Sequence, residues 1–185
     1  MSENWRLAPL QPEDWPDELA PLRQEFAGRL NVYRTMAHHP KLLSAWAALR
    51  AHVVTDSALT PEQSEVVILR CGARYNVPYE WSHHILRARA IGMDDRRIAS
   101  LKGDIADLAE SDAMFARAVD ELIADARLLP ETAEALTRAH GKTAVLDLMA
   151  TVGFYTTLAF VLKTFDTPLD PNVAKALLDH PLSPG

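Results

Sequence analysis

The sequence predicts an all-α fold, a single-domain helical bundle. Apolar residues recur at three- and four-residue spacing through most of the chain, and no segment alternates at the period of two that marks a strand. Helix punctuation brackets the periodic segments, with prolines at their first positions and glycines just past their ends. A chain of 185 residues supports one domain with a substantial core and is short for two.

The first sixteen residues hold Pro9, Pro12, Pro16, Trp5 and Trp15. They are expected to form an irregular arm (1–16) that packs over a partner or a neighbouring subunit, leaving 17–185 as the helical domain. Leu19, Leu22, Phe26, Leu30 and Tyr33 keep helical spacing, as do Leu42, Trp46, Leu49 and Val53 after Pro40. Both sets are expected to be core stripes. Thr60 is a good N-cap, Pro61 suits the first helical position and Gln63 completes a capping box, so a helix should run from there to about Tyr75. Pro78 disfavours a helical Val77 and opens the next helix, which should end near Ile91 with Gly92 as a left-handed cap. Asp94 caps a short helix through Leu101, and Phe115, Val119, Leu122 and Ile123 mark another. Glu131 to His140 should form a helix stopped by Gly141. A long apolar helix follows, and Pro171 to Asp179 makes a last short one.

Composition narrows the function classes. The apolar fraction is 48%, the charged fraction 24% and the net charge -6, as expected of a soluble globular protein. Lys and Arg are scattered rather than clustered, so no nucleic-acid partner is expected. The most apolar stretch, 144–162, is interrupted by Asp147, Thr151, Gly153, Thr156 and Thr157. It reads as a buried core helix rather than a membrane span. Cys71 stands alone, so an internal disulfide and a multi-thiolate zinc cluster are excluded. The first five residues lack the basic-then-apolar order of a secretory signal, and the expected location is the cytoplasm.

Glu80 and His84 stand four apart on a predicted helix, on one face within roughly 40°, with His83 nearby. A carboxylate beside an imidazole can hold its tautomer and pass protons near neutral pH. Such pairs are also common as solvated surface contacts. Glu65 sharpens the reading, because it falls in the apolar run Ser64–Leu69 of a helix that reads as mostly buried. A carboxylate there needs a partner or a proton. Cys71 lies six residues on, roughly 120° around the same helix, and reads as a buried, inert thiol.

The stretch Asn31–Pro40, then Leu59-Thr60-Pro61, Glu65–Arg70, Tyr79-Glu80-Trp81-Ser82-His83-His84, Ala90-Ile91-Gly92 and Val152–Tyr155 resembles the carboxymuconolactone decarboxylase and alkylhydroperoxidase D-like family. The resemblance covers roughly residues 30 to 165. It implies an alkylhydroperoxidase D-like helical bundle that assembles as a trimer or larger. The redox branch of that family uses a buried Glu, a Cys-x-x-Cys and a following His. Glu65 and His84 match the first and last of these, Tyr79 matches a second relay histidine, and Val77 and Glu80 stand at the two cysteine positions. Dithiol peroxidase chemistry is therefore not expected.

What the resemblance implies instead is the decarboxylase branch. Its chemistry is acid–base, without thiol, metal or organic cofactor, on a small carboxylated lactone. In that scheme His84 donates a proton, Glu80 orients it, and Glu65 is a second acid or relay. Tyr79, Trp81 and Tyr155 contact the substrate, and Arg70 or Arg74 pairs with a carboxylate. Two readings stand beside it: a metal site on Glu80, His84 and Glu65 or His83, and a small-molecule-binding oligomer without turnover. Antioxidant activity follows only from the family name. His38 and His39 are expected to cap helix ends.

Overall fold

The computed structural model describes residues 5–183, and every regular element among them is helical. Two one-turn helices, Pro12–Asp14 and Asp17–Leu19, lead into α1 (Ala20–Gln24), a further turn (Ala27–Arg29), α2 (Asn31–Met36) and α3 (Pro40–Ala51). α3 runs on into a π-helical turn, His52–Asp56. Then come α4 (Pro61–Arg74), α5 (Pro78–Ala90), α6 (Asp95–Ser100), a turn at Ile105–Asp107, α7 (Glu110–Asp125), α8 (Pro130–Thr164) and α9 (Pro171–Asp179).

α4 is the central helix and packs against α5, α7 and α8. Its start follows the capping logic of the sequence. Thr60 Oγ1 accepts the Gln63 N–H at 3.3 Å, and Gln63 Oε1 accepts the Thr60 N–H at 3.0 Å. Val66, Val67 and Leu69 on α4 join Leu136, Leu148 and Leu158 on α8 in one hydrophobic cluster that reaches from Trp15 to Leu162. α8 is broken once. Gly141 sits at φ 83, ψ 164, a region that only glycine occupies without strain. The two helices expected on either side of Gly141 are thus two limbs meeting at that residue.

Several expectations are corrected. The arm packs on its own chain: Leu10 N–H donates to the Arg34 carbonyl at 3.2 Å, Arg34 Nε donates back to the Leu10 carbonyl at 2.8 Å, and Trp15 is buried. Its first four residues, where the absence of a signal was read, lie outside the described residues. The stripe from Leu19 to Tyr33 is not one helix but short pieces. The chain leaves α1 at Glu25 (φ -94, ψ -141) and folds back so closely that a Cβ added at Gly28 would lie 1.9 Å from the Arg23 carbonyl oxygen. Leu42 and Leu49 are 46% and 41% exposed, and the residue α3 buries fully is Leu43. Periodicity locates the helix; which stripe faces inward is fixed by its neighbours. α8 is apolar and long enough to cross a membrane, and 56% of its most apolar stretch is buried within the fold. Leu146 and Phe160 on it remain exposed.

Candidate active site

The site is built by the α4–α5 hairpin. α4 closes at Tyr75, Asn76 takes a left-handed φ of 51°, and the Val77 N–H returns to the Gly72 carbonyl at 2.9 Å. Pro78 then starts α5 in its required φ. This tight turn lays the two helices side by side, so that Glu65 on α4 meets Glu80 and His84 on α5. All three are buried: Glu65 is 8% exposed, Glu80 5% and His84 3%.

His84 Nδ1 lies 2.7 Å from Glu65 Oε2. A carboxylate only accepts, so Nδ1 carries the proton and Nε2 presents its lone pair. That lone pair faces Glu80 Oε2 at 3.6 Å, too long for a hydrogen bond. The Glu80 Oε1 oxygen is buried without a hydrogen-bond partner among the described residues. The expected roles are therefore exchanged. Glu65, not Glu80, fixes the imidazole tautomer, because its carboxylate reaches Nδ1 across the helix pair while the i, i+4 neighbour stops short of Nε2.

Burial sets the proton populations. It pushes the Glu80 carboxyl up to about 8, with the Arg87 charge opposing and the Glu65 charge adding to it. Burial also lowers His84 from the usual imidazole range, outweighing the attraction of Glu65. Proximity to a carboxylate does not by itself make His84 charged, because desolvation penalises both ions. Near neutral pH the 3.6 Å contact therefore joins a carboxylic acid to a neutral imidazole and is not an ion pair. Burial raises the hydroxyl of Tyr155 as well, with the Glu80 charge next. The Tyr155 ring meets that of His84 edge-on at 5.2 Å.

Two spaces adjoin these groups. A cleft of about 510 Å³ is lined by apolar side chains from Val53, Val54, Leu59 and Ile68, with Glu65, Arg87 and Tyr155 at its polar end. Behind that end lies a chamber of about 20 Å³ onto which Tyr33, Arg50, Glu80 and His84 open, with Arg87 and Tyr155 again in its wall. Val54, Arg87 and Tyr155 are common to both spaces. The π-helical turn widens the end of α3 and brings Val53, Val54 and Thr55 to the cleft, a use such turns often have.

The Arg87 guanidinium makes no hydrogen bond or ion pair among the described residues, although it stands half-buried where cleft and chamber meet. Sequence reasoning missed it. Its signal was its place three residues after His84, on the same helix face. Arg50 was also missed. It stacks on Phe26 at 3.9 Å, and its Nε is buried without a hydrogen-bond partner among the described residues.

A second buried network supports α5 from the other side. Asp170, at the start of α9, accepts the Asn31 N–H at 3.0 Å, the His83 Nε2–H at 2.9 Å and the Tyr79 hydroxyl. Burial raises the Asp170 carboxyl, but the bonds from His83, Tyr79 and Asn31 outweigh it and hold the group below the usual carboxylate range. Tyr79 therefore serves as a strut whose ring borders the chamber. No short-range pattern links Asp170 to α5, since the partners lie 87 and 91 residues apart.

Other expected contacts fall elsewhere. Arg70 pairs with Asp120 through Nε at 2.9 Å and Nη2 at 2.6 Å, and its Nη1 donates to the Leu101 and Gly103 carbonyls. It faces α7 and borders neither space, because position 70 lies on the α4 face turned from α5. Arg74 also leans on Asp120, at 3.3 Å. Trp81 lies under Lys102, whose Nζ is 4.2 Å from the ring centre, and borders neither space. Cys71 is buried, and burial raises its thiol. His38 bonds the Ala8 carbonyl, and His39 accepts the Leu42 N–H as the cap of α3. Among the described residues no three His, Cys, Asp or Glu side chains gather in a metal-binding arrangement.

The comparisons agree with this architecture. Residues 40–123 match the carboxymuconolactone decarboxylase family, a span that contains Glu65, Glu80 and His84. A peroxidase-related protein from Ralstonia eutropha JMP134, described as an alkylhydroperoxidase AhpD core, superposes with a TM-score of 0.74 at 19% identity, over 90% of this chain and 94% of that one. A variant of the debrominase Bmp8 in complex with 2,3,4-tribromopyrrole superposes with a TM-score of 0.71 at 19% identity, over 94% and 95%. A peroxidase-related protein from Silicibacter sp. TM1040 gives a TM-score of 0.74 at 17% identity, over 94% and 97%. No curated protein matches the chain. The fold is the AhpD-like helical fold. Within that fold, the carboxymuconolactone decarboxylase family match over residues 40–123 covers α3 to α7, the part of the chain that carries the site.

Proposed function

We propose that this protein is a thiol-free acid–base enzyme that removes CO2 from a small carboxylated lactone. The observation that carries the reading is the opposed pair Glu80 and His84. Burial leaves Glu80 as an acid and His84 as a neutral base, 3.6 Å apart, with Glu65 fixing the imidazole. Two titratable groups driven in opposite directions mark an acid and a base.

The substrate lies in the cleft with its carbonyl toward Arg87. The bond from ring carbon to carboxylate breaks, CO2 leaves, and the electron pair moves through the conjugated ring onto the carbonyl oxygen, where the unpaired Arg87 guanidinium stabilises it. A proton from Glu80, relayed by a water across the shared wall at Val54, Arg87 and Tyr155, completes the new C–H bond, and solvent returns a proton to Glu80 by way of His84. The Bmp8 debrominase, of the same fold, holds a small ring, and a cleft of about 510 Å³ accepts a ring of that size. The positions of Val77 and Glu80 in place of a Cys-x-x-Cys count against a dithiol peroxidase.

The test is CO2 release from an α,β-unsaturated butenolide whose carboxylate sits on the saturated γ ring carbon, so that the electron pair can pass through the C=C bond to the carbonyl. His84→Gln is expected to lower kcat by about 10²-fold or more while leaving the fold intact by circular dichroism, and Cys71→Ser should leave it unchanged. No release above the enzyme-free rate across a series of such lactones refutes the reading, as does dithiol-dependent hydroperoxide turnover that Cys71→Ser abolishes.

A further inference from the structure

The chamber beside His84 is too small for a substrate. About 20 Å³ accommodates one water molecule, which needs roughly 10–15 Å³ and two to four polar partners. The partners are present. Glu80 Oε1 and Arg50 Nε are buried polar atoms without hydrogen bonds among the described residues, and a buried polar group in that state calls for a partner. His84 Nε2 presents its lone pair on the same side, since Nδ1 is engaged by Glu65 at 2.7 Å. His84 and Glu80 thus border the chamber and not the cleft, whereas Arg87 and Tyr155 border both. Whatever passes between the dyad and a ligand in the cleft crosses at the wall formed by these two residues and Val54, through a space the size of one water.

From this we propose that the same site hydrolyses small carboxylated lactones or esters, with a water held between Glu80 and His84 as the nucleophile. The inference rests on the Glu65–His84–Glu80 centre being reactive, but not on CO2 being its product. The water oxygen bonds to the acyl carbon of the ligand in the cleft, and its proton passes to His84 Nε2. The carbonyl electron pair moves to oxygen beside Arg87. When the tetrahedral species collapses, the acyl C–O bond to the ring oxygen breaks and the leaving alkoxide takes a proton from Glu80. His84 returns its proton to Glu80, so lactone and water give a hydroxy acid and no further reagent is consumed. The Glu65 carboxylate stabilises the imidazolium that forms in between.

The experiment uses the full chain and γ-butyrolactone-γ-carboxylate in ¹⁸O-labelled water. This saturated lactone has no conjugated bond to take an electron pair, so CO2 loss cannot run on it. One ¹⁸O is expected in the new carboxylate, at a rate that falls by about 10²-fold or more in His84→Gln. Val54→Phe provides a second variant outside the dyad, narrowing the passage between cleft and chamber, and should also slow incorporation. Absence of ¹⁸O above the enzyme-free rate, with CO2 still released from the butenolide, overturns hydrolysis and leaves the decarboxylase reading standing. Incorporation without CO2 release does the reverse. Absence of both overturns the reactive centre itself, and incorporation unchanged in folded His84→Gln overturns the base assignment.

Discussion

Replacing Glu80 by Gln tests the central electrostatic claim without any substrate. A carboxyl held at about 8 in the folded chain and near 4.5 when unfolded keeps its proton on folding, so the folded state binds more protons than the unfolded state between those values. Stability from this group is complete below pH 4.5 and is lost as pH rises through about 8. His84 works in the other direction. Its folded value lies below 6.5, so its contribution is present above 6.5 and lost as pH falls. The window from 6.5 to 8 therefore isolates Glu80. His52, raised by its hydrogen bond to Asp147, titrates in both proteins and cancels in the difference.

At about 1.4 kcal/mol per pH unit, the wild-type protein should lose about 2 kcal/mol across that window relative to Glu80→Gln. For a chain of this size that is about 4–8 °C in Tm. Paired thermal melts at pH 6.5, 7.2 and 8 read it directly. Parallel curves for the two proteins would mean that Glu80 is ionised throughout, and would remove the acid from the proposed mechanism.

The remaining expectations follow from other buried groups. Arg70→Leu should cost about 3–5 kcal/mol in urea unfolding by leaving two carbonyls without their donor and Asp120 with Arg74 alone, while kcat of the folded fraction is unchanged; a selective rise in KM would restore Arg70 to substrate binding. Asp170→Asn should cost about 1–3 kcal/mol and speed amide exchange in α9 before the rest of the chain; uniform exchange would show that α9 is held by other means. A homo-oligomer of three or more copies is expected through the exposed Leu146 and Phe160 side of α8, and Phe160→Glu should disperse it in light scattering. A wild-type monomer at micromolar concentration would refute this.

Local signals carried much of the fold. The capping box at Thr60, the break at Pro78 and the stop at Gly141 each depend on a few neighbouring atoms, and each appears where the chain is punctuated for it. The same locality brought Glu80 and His84 to one face of α5, and a short turn brought Glu65 opposite. The stretch from Leu19 to Tyr33 reads as one helix in sequence because periodicity cannot register the reversal at Glu25 and the close approach of Gly28 to Arg23. Trp81 was misplaced because an aromatic beside Glu80 and His84 looks the same in sequence whether it faces a cleft or a lysine.

By itself, then, the sequence determined that the chain is helical, where most helices begin and end, and which three side chains could converge. Those properties are set by dihedral preference, capping and spacing along one chain segment. Only the tertiary structure decided the roles. Whether Glu65 or Glu80 holds the imidazole is a difference between 2.7 Å and 3.6 Å. The charge of each group depends on how much water its neighbours exclude. Arg87 and Asp170 gained their places, between cleft and chamber and under α5, from packing between segments distant in the chain. Desolvation and long-range contact are properties of the packed molecule, so no local pattern can state them.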